Sequence, residues 1–207
     1  GLEVPSMPSR TNAGYPPKPD TDDTTVLKAW KSECRKITAG NRALRCERRT
    51  FALKVDCAND YAEHEKVYFP HQFDFRGRMY AIPTNLNHYG DDFCRGVLEA
   101  GEGYEPDMGE LAIEVANHWG VDKESFADRV KWTSDNLAMI ESVASDPVGD
   151  TSWFAADKPW QFLAACMAIT GKTDPRHAIV RRDGSCNGLQ HYVALGRDEK
   201  AAEIVNL

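Results

Sequence analysis

Apolar positions recur at helical spacing from Asp23 onward: Val26, Leu27, Trp30, Cys34 and Ile37 fall at steps of three and four, and Leu44, Phe51, Val55, Ala58 and Ala62 follow after Gly40-Asn41. This period predicts two helices joined near Gly40, each with one apolar face. Residues 66–84 read differently, being rich in aromatic and branched side chains with Pro70 and Gly77 as breakers, and they predict short strands around a tight bend. After the Asn-His-Tyr-Gly-Asp-Asp turn at 87–92, helices are predicted over about 109–119, 125–145 and 159–169. Gly120 closes the first of these and Pro159 lies in the opening turn of the last. His177-Ala-Ile-Val-Arg-Arg182 then reads as a strand running into Asp183-Gly184, and residues 186–195 read as a helix. The fold class predicted is α+β, mainly helical.

Residues 1–22 depart from this patterning. They hold five of the eleven prolines, with few large apolar residues, and read as a linker or extended arm. The predicted organisation is thus an arm over 1–22, a basic helical segment over 23–65 and a third region over 66–207. With 207 residues, 42% apolar and 28% charged, the chain can build one good-sized core. No run approaches the roughly 20 uncharged apolar residues of a membrane-spanning helix. Gly1-Leu2-Glu3-Val4-Pro5 has neither a basic flank nor an apolar signal core, which argues against membrane and secretory classes. A first residue of Gly rather than Met is what a processed product or an excised piece shows.

The formal net charge of −7 is unevenly spread. Between Lys28 and Lys54 nine basic residues stand against Glu33 and Glu47, a local +7 that leaves −14 for the rest. Such asymmetry fits a face held against nucleic acid, and it fits a solvated helical surface as well. The six cysteines, at 34, 46, 57, 94, 166 and 186, include no Cys-x-x-Cys pair. They are expected as reduced, mostly buried thiols of a cytoplasm-like compartment.

Two segments could carry chemistry. Asp183, at a predicted strand end and followed by Gly184 and small polar residues, is presented at a backbone edge that a hard cation can approach. Gly184 would let its own carbonyl face the same ion. The structural alternative is that Asp183 caps the following helix and Gly184 makes the turn. In Asp74-Phe-Arg-Gly-Arg-Met-Tyr80, an extended backbone projects Arg76 and Arg78 to one face, at a separation suited to neighbouring phosphates, and Tyr80 continues that face. Pairing of Asp74 with Arg78 as a structural bridge accounts for the same residues equally well.

Tyr68-Phe-Pro-His-Gln-Phe-Asp-Phe-Arg-Gly-Arg-Met-Tyr80 and Asp183-Gly-Ser-Cys-Asn-Gly-Leu-Gln-His-Tyr-Val-Ala-Leu-Gly-Arg-Asp198 resemble two signature segments of the single-subunit DNA-dependent RNA polymerases, the phage-type enzymes and their mitochondrial and chloroplast relatives. Leu86-Asn-His-Tyr-Gly-Asp-Asp92, Gly120-Val-Asp-Lys123, Trp153-Phe-Ala-Ala-Asp-Lys-Pro-Trp-Gln161 and Val205-Asn-Leu207 are similar to further family segments in the right order, so the resemblance covers about residues 26–207. It implies a partial polymerase palm of short antiparallel strands with flanking helices. Asp183 then matches one of two aspartates that hold the catalytic magnesium ions, and Gly184 the neighbour contributing a backbone oxygen. Arg76, Arg78 and Tyr80 match a segment that contacts template and growing RNA, and Asn187 and Gly188 lie where the family approaches the hybrid. Gln190 and His191 belong to the same motif but are assigned to helix packing.

The resemblance further implies DNA template, nascent RNA, nucleoside triphosphates and the remaining polymerase portion, in cis or as a second chain, as partners. One carboxylate cannot hold two magnesium ions. The family's second metal aspartate lies in a later motif, and this chain ends 24 residues after Asp183. Asp91 and Asp92 are expected to be a turn or helix-start pair rather than substitutes for it. The function implied is part of a DNA-directed RNA polymerase, a nucleotidyltransferase of transcription, inactive alone. The alternative is a non-catalytic nucleic-acid-binding subunit of a split polymerase. Trp153-Phe154 departs from the paired tryptophans usual in the family, and the stretch from Ile169 to Asp183 is short. Gly120-Val-Asp-Lys123 and the lack of a transit-like segment lean toward a phage protein in the cytoplasm of an infected bacterium. The Asn187-Gly-Leu-Gln-His-Tyr192 run resembles the mitochondrial branch, making the mitochondrial matrix the alternative.

Overall fold

The computed structural model describes residues 4–5, 7–181 and 186–205. Asp23 opens the longest element, its side chain accepting from the Thr25 N–H at 2.7 Å, and helix α1 then runs unbroken over Thr24–Ala62. The two helices expected about Gly40 are therefore one. Leu27, Trp30, Cys34, Ile37, Asn41, Leu44, Arg48, Phe51, Val55 and Ala58, all at least partly shielded, alternate in steps of three and four straight through that point. Gly40 is exposed, and a mid-helix glycine costs only about 1 kcal/mol relative to alanine. Asn41, a turn former in isolation, is buried and holds the N-terminal arm: its carboxamide accepts from the Ala13 N–H and donates to the Ala13 carbonyl, each at 2.9 Å. The arm has no helix or strand over 7–22 and lies along α1. Trp30 Nε1 donates to the Pro16 carbonyl at 3.1 Å, and Arg48 donates to the Ser9 carbonyl and to Asn12 Oδ1 at 2.6 and 3.0 Å.

An antiparallel hairpin follows, β1 His71–Phe73 and β2 Met79–Ala81, in register His71↔Ala81, Gln72↔Tyr80 and Phe73↔Met79. It is the one sheet among the described residues. Asp91 then caps the short helix α2, Asp92–Gly96, by accepting from the Cys94 N–H. The Asp91-Asp92 pair thus starts a helix, as expected. Helices α3 (Met108–Trp119), α4 (Phe126–Asp135), α5 (Leu137–Ser145) and α6 (Pro159–Ile169) build the main core. At its centre Val115, Ile140, Val143, Phe162 and Cys166 are fully buried. The single helix expected over 125–145 is interrupted at Asn136, whose side-chain amide and backbone N–H both donate to the Trp132 carbonyl, at 2.8 and 3.0 Å.

A smaller core of Leu86, Phe93 and Cys94 receives Phe51, Val55, Ala58 and Tyr61 from the last third of α1, and Trp160 packs against both cores. Glycine is required where α2 meets α6: a Cβ at Gly96 would sit 2.5 Å from the Trp160 carbonyl carbon. The strand expected over 177–182 is not formed over its described part. Asp174 caps a 3-10 turn at Pro175–His177, and the carbonyls of Arg176 and His177 accept from the N–H groups of Tyr104 and Ala100. A loop thus satisfies this backbone in place of a second strand. Helices α7 (Asn187–Gly196) and α8 (Glu199–Ile204) close the chain, and Gln190 Nε2 donates to the Val205 carbonyl at 2.6 Å.

No helix among the described residues is long and apolar enough to cross a membrane. The cysteines are all free, but only Cys94 and Cys166 are buried; Cys46 and Cys186 are exposed and the other two are intermediate, so the expectation of mostly buried thiols is corrected. Burial pushes the Cys94 thiol up to about 11 and raises that of Cys166 as well.

Candidate nucleic-acid interface

The hairpin tip is organised by one carboxylate. Asp74 accepts from the backbone N–H groups of Arg76 and Arg78 at 2.8 and 3.0 Å, and from Nε and Nη2 of Arg76 at 3.1 and 3.0 Å. These hydrogen bonds, that of the Arg78 N–H foremost, hold its carboxyl below the usual range. Gly77, at φ +74°, supplies the left-handed residue that returns the chain into β2. Arg76 therefore sits in the turn, not in an extended strand, with its guanidinium 5.5 Å from the Phe75 ring centroid. The expectation that Arg76 and Arg78 share one extended face is corrected, since Asp74 and Gly77 bend the chain between them. The register pairs Gln72 with Tyr80 on one face, and Arg78 lies just ahead of β2. Arg78 and Tyr80 are both exposed. The bridge to Asp74 runs from Arg76, while Arg78 reaches that carboxylate through its backbone N–H alone.

The base of the hairpin is tied to the body through histidines. His71 Nε2 lies 3.3 Å from His88 Nε2, within a cluster in which the His88 ring also meets Phe69 and Tyr89. Burial, then the neighbouring His71 and Arg181, hold His88 below the ordinary imidazole value. Arg181 stands two residues before Asp183 in the chain. Arg181 is itself half-buried, donating to Gln161 Oε1 at 3.3 Å and to the Arg95 carbonyl at 3.4 Å. Sequence reasoning missed His71, His88, Gln161 and Arg181. The signal available was Lys158-Pro159 at the head of α6, which offers no side-chain cap and so demands one from elsewhere.

Asp183 and Gly184 lie outside the described residues. Asn187 and Gly188 form the exposed first turn of α7, and no hydrogen bond or ion pair among the described residues links them to the hairpin. Asp91 and Asp92 are committed elsewhere: Asp91 pairs with Lys54 at 2.5 Å and caps α2, and Asp92 accepts from the head of α6. Among the described residues no group of three or more His, Cys, Asp or Glu could hold a metal ion. Of the nine basic residues on α1, the fold takes Arg48 onto the arm and Lys54 onto Asp91. The other seven are exposed.

The described parts are thus a helix with seven exposed basic side chains and a hairpin with exposed Arg78 and Tyr80. A family profile for DNA-dependent RNA polymerase matches residues 105–207. The DNA-directed RNA polymerase 2, chloroplastic/mitochondrial, of Arabidopsis thaliana is 41% identical over 217 residues, covering 99% of this chain and 22% of its own length. The DNA-directed RNA polymerase 1, mitochondrial, of the same plant is 36% identical over all of this chain and 22% of its own. The DNA-directed RNA polymerase, mitochondrial, of Neurospora crassa is 37% identical, covering 93% of this chain and 14% of its own. The chain belongs to the family of single-subunit, phage-type DNA-dependent RNA polymerases. It spans 22% of the length of the plant relatives it matches. Those relatives are organellar by name, and the lean toward a phage protein in an infected bacterium finds no support in them.

Proposed function

We propose that this segment serves template-directed RNA synthesis, with Asp183 as one metal-holding carboxylate, Gly184 as a backbone ligand beside it, and Arg76, Arg78, Tyr80, Asn187 and Gly188 as contacts to template and RNA. The observation that carries the reading is the hairpin. It leaves Arg78 and Tyr80 exposed to solvent, and its base is tied to the body where His71 meets His88. A guanidinium beside an aromatic ring suits a phosphate next to a sugar or base. The seven exposed charges of α1 offer further contacts to a polyanion. In this reading residues 1–22 are the arm, 23–65 the basic helix and 66–207 the first part of the palm.

Magnesium fits the proposed ligands by donor chemistry, a carboxylate and a carbonyl both being hard oxygens. When bound, it supplies activation of the attacking hydroxyl and neutralisation of pyrophosphate charge. The residues of this chain hold the nucleic acid in register with that carboxylate. A single aspartate is too few for two ions, so the rest of a polymerase, in cis or as a second chain, completes the site and this segment alone is inactive. DNA template, nascent RNA and nucleoside triphosphates are the expected ligands. The compartment inferred is an organelle, the mitochondrial matrix first, in line with the names of the relatives.

Asp183→Ala in the intact polymerase should abolish magnesium-dependent extension of RNA on a DNA template, measured by primer-extension assay. Wild-type rates in that variant overturn the proposal. Arg78→Ala should weaken binding of a DNA–RNA hybrid by about tenfold, as loss of a hydrogen bond to a charged group does, read by fluorescence anisotropy.

A further inference from the structure

Helix α6 lacks a cap of its own. Lys158 provides no side-chain bond, and Pro159 has no N–H to satisfy. The next two backbone donors both go to one carboxylate 68 or 69 residues away: Asp92 Oδ2 accepts from the Trp160 N–H at 2.8 Å, and Oδ1 from the Gln161 N–H at 3.2 Å. Asp92 Oδ1 also accepts from Gln161 Nε2 at 3.1 Å. A carboxylate only accepts, so this bond fixes which way the Gln161 amide faces. Its oxygen is turned to the opposite side, where Arg181 donates to it at 3.3 Å, and the second arm of that guanidinium reaches the Arg95 carbonyl on α2. Gln161 is 5% exposed, so its amide is largely shielded from solvent. Three segments are thereby tied at one side chain: α2, the head of α6, and the stretch that runs into Asp183.

We propose that Gln161 is a positioning residue: oriented by Asp92, it holds Arg181 and so sets the approach of the chain to Asp183. This rests on the reading of Asp183 given above. Gln161 and Asp92 separate cleanly in their effects. Removing the Gln161 side chain leaves both backbone donors on Asp92, so the head of α6 stays capped while Arg181 loses one of its two hydrogen bonds and is partly released. Trypsin reads that release directly, because it must take the guanidinium into its own pocket.

The test uses the intact polymerase with Gln161→Met, which keeps length and bulk but has no amide. Cleavage at the bond after Arg181, identified by mass spectrometry, should speed by about tenfold, as local opening becomes easier. The kcat for RNA extension should fall by about tenfold with the KM for nucleoside triphosphates unchanged, the mark of a misplaced reacting group. The thermal midpoint should move by less than about 3 °C. Unchanged cleavage and kcat overturn the inference, as does a general loss of protease resistance along α6. Should Gln161→Met not fold, Arg181→Lys serves. Its single ammonium cannot span the Gln161 oxygen and the Arg95 carbonyl, so it should show the same fall in kcat at constant KM, and wild-type kinetics there overturn the inference. Asp183→Ala separates the two claims. Activity in that variant defeats the site reading, whereas an inactive Asp183→Ala alongside a wild-type Gln161→Met defeats the positioning role alone.

Discussion

At the residue scale, the hairpin tip depends on a backbone conformation that side chains resist. Gly77 lies at φ +74° with open space around a would-be Cβ, so the cost of substitution there is conformational and not steric crowding. Gly77→Ala should destabilise the tip by about 1–2 kcal/mol, the cost of a left-handed L-residue. Because Asp74 binds both the Arg76 and Arg78 N–H groups across this turn, hybrid binding should weaken in Gly77→Ala as well. Anisotropy titration beside a thermal melt checks both effects. The hairpin itself was legible in the sequence, from its aromatic and branched residues on either side of Gly77. The place of Arg76 was not, because Asp74 closes a side-chain-backed turn whose geometry outweighs the extended reading of the same residues. Asp92 was recognisable as part of a helix start, but its grip on α6 joins residues 68 apart and no local pattern announces it.

Among the elements, α3 and α6 were readable because their punctuation is local: Asp107 and Gly120 bracket one, and Pro159 opens the other. Helix α1 was misread because Gly40-Asn41 is a stop signal on its own, and only the arm gives Asn41 a reason to be helical. The strand expected after His177 is absent over 177–181, where no strand pairs with it and the His177 carbonyl accepts from the Ala100 N–H. The link between hairpin and body has its own pH signature. Burial, then His71 and Arg181, lower the His88 pKa in the fold below its unfolded value. As pH drops, the unfolded chain takes up the proton first. The contribution of the pair is thus full above roughly 6.5 and is lost as pH falls through the lowered folded value. The wild-type thermal midpoint should fall between pH 7 and pH 5 more steeply than that of His88→Gln, and parallel slopes would refute this.

Over the whole molecule, charge is segregated. The chain carries −7 overall, yet α1 exposes seven basic side chains, and among the described residues none of the seven is in an ion pair. Binding to a DNA–RNA hybrid should therefore weaken as salt rises. Replacing Arg35 and Arg42 by Gln should reduce the slope of log affinity against log salt by about 1.4–1.8, on the basis of 0.7–0.9 per phosphate contact. An unchanged slope would remove α1 from the interface. The borrowed cap of α6 bears on how such a chain acquires its shape. A peptide spanning only residues 156–170 should have a frayed beginning, since the acceptor for its first two donors is absent. The two cores meet at Trp160, and synthesis past residue 92 must reach residue 161 before that corner of the protein can set.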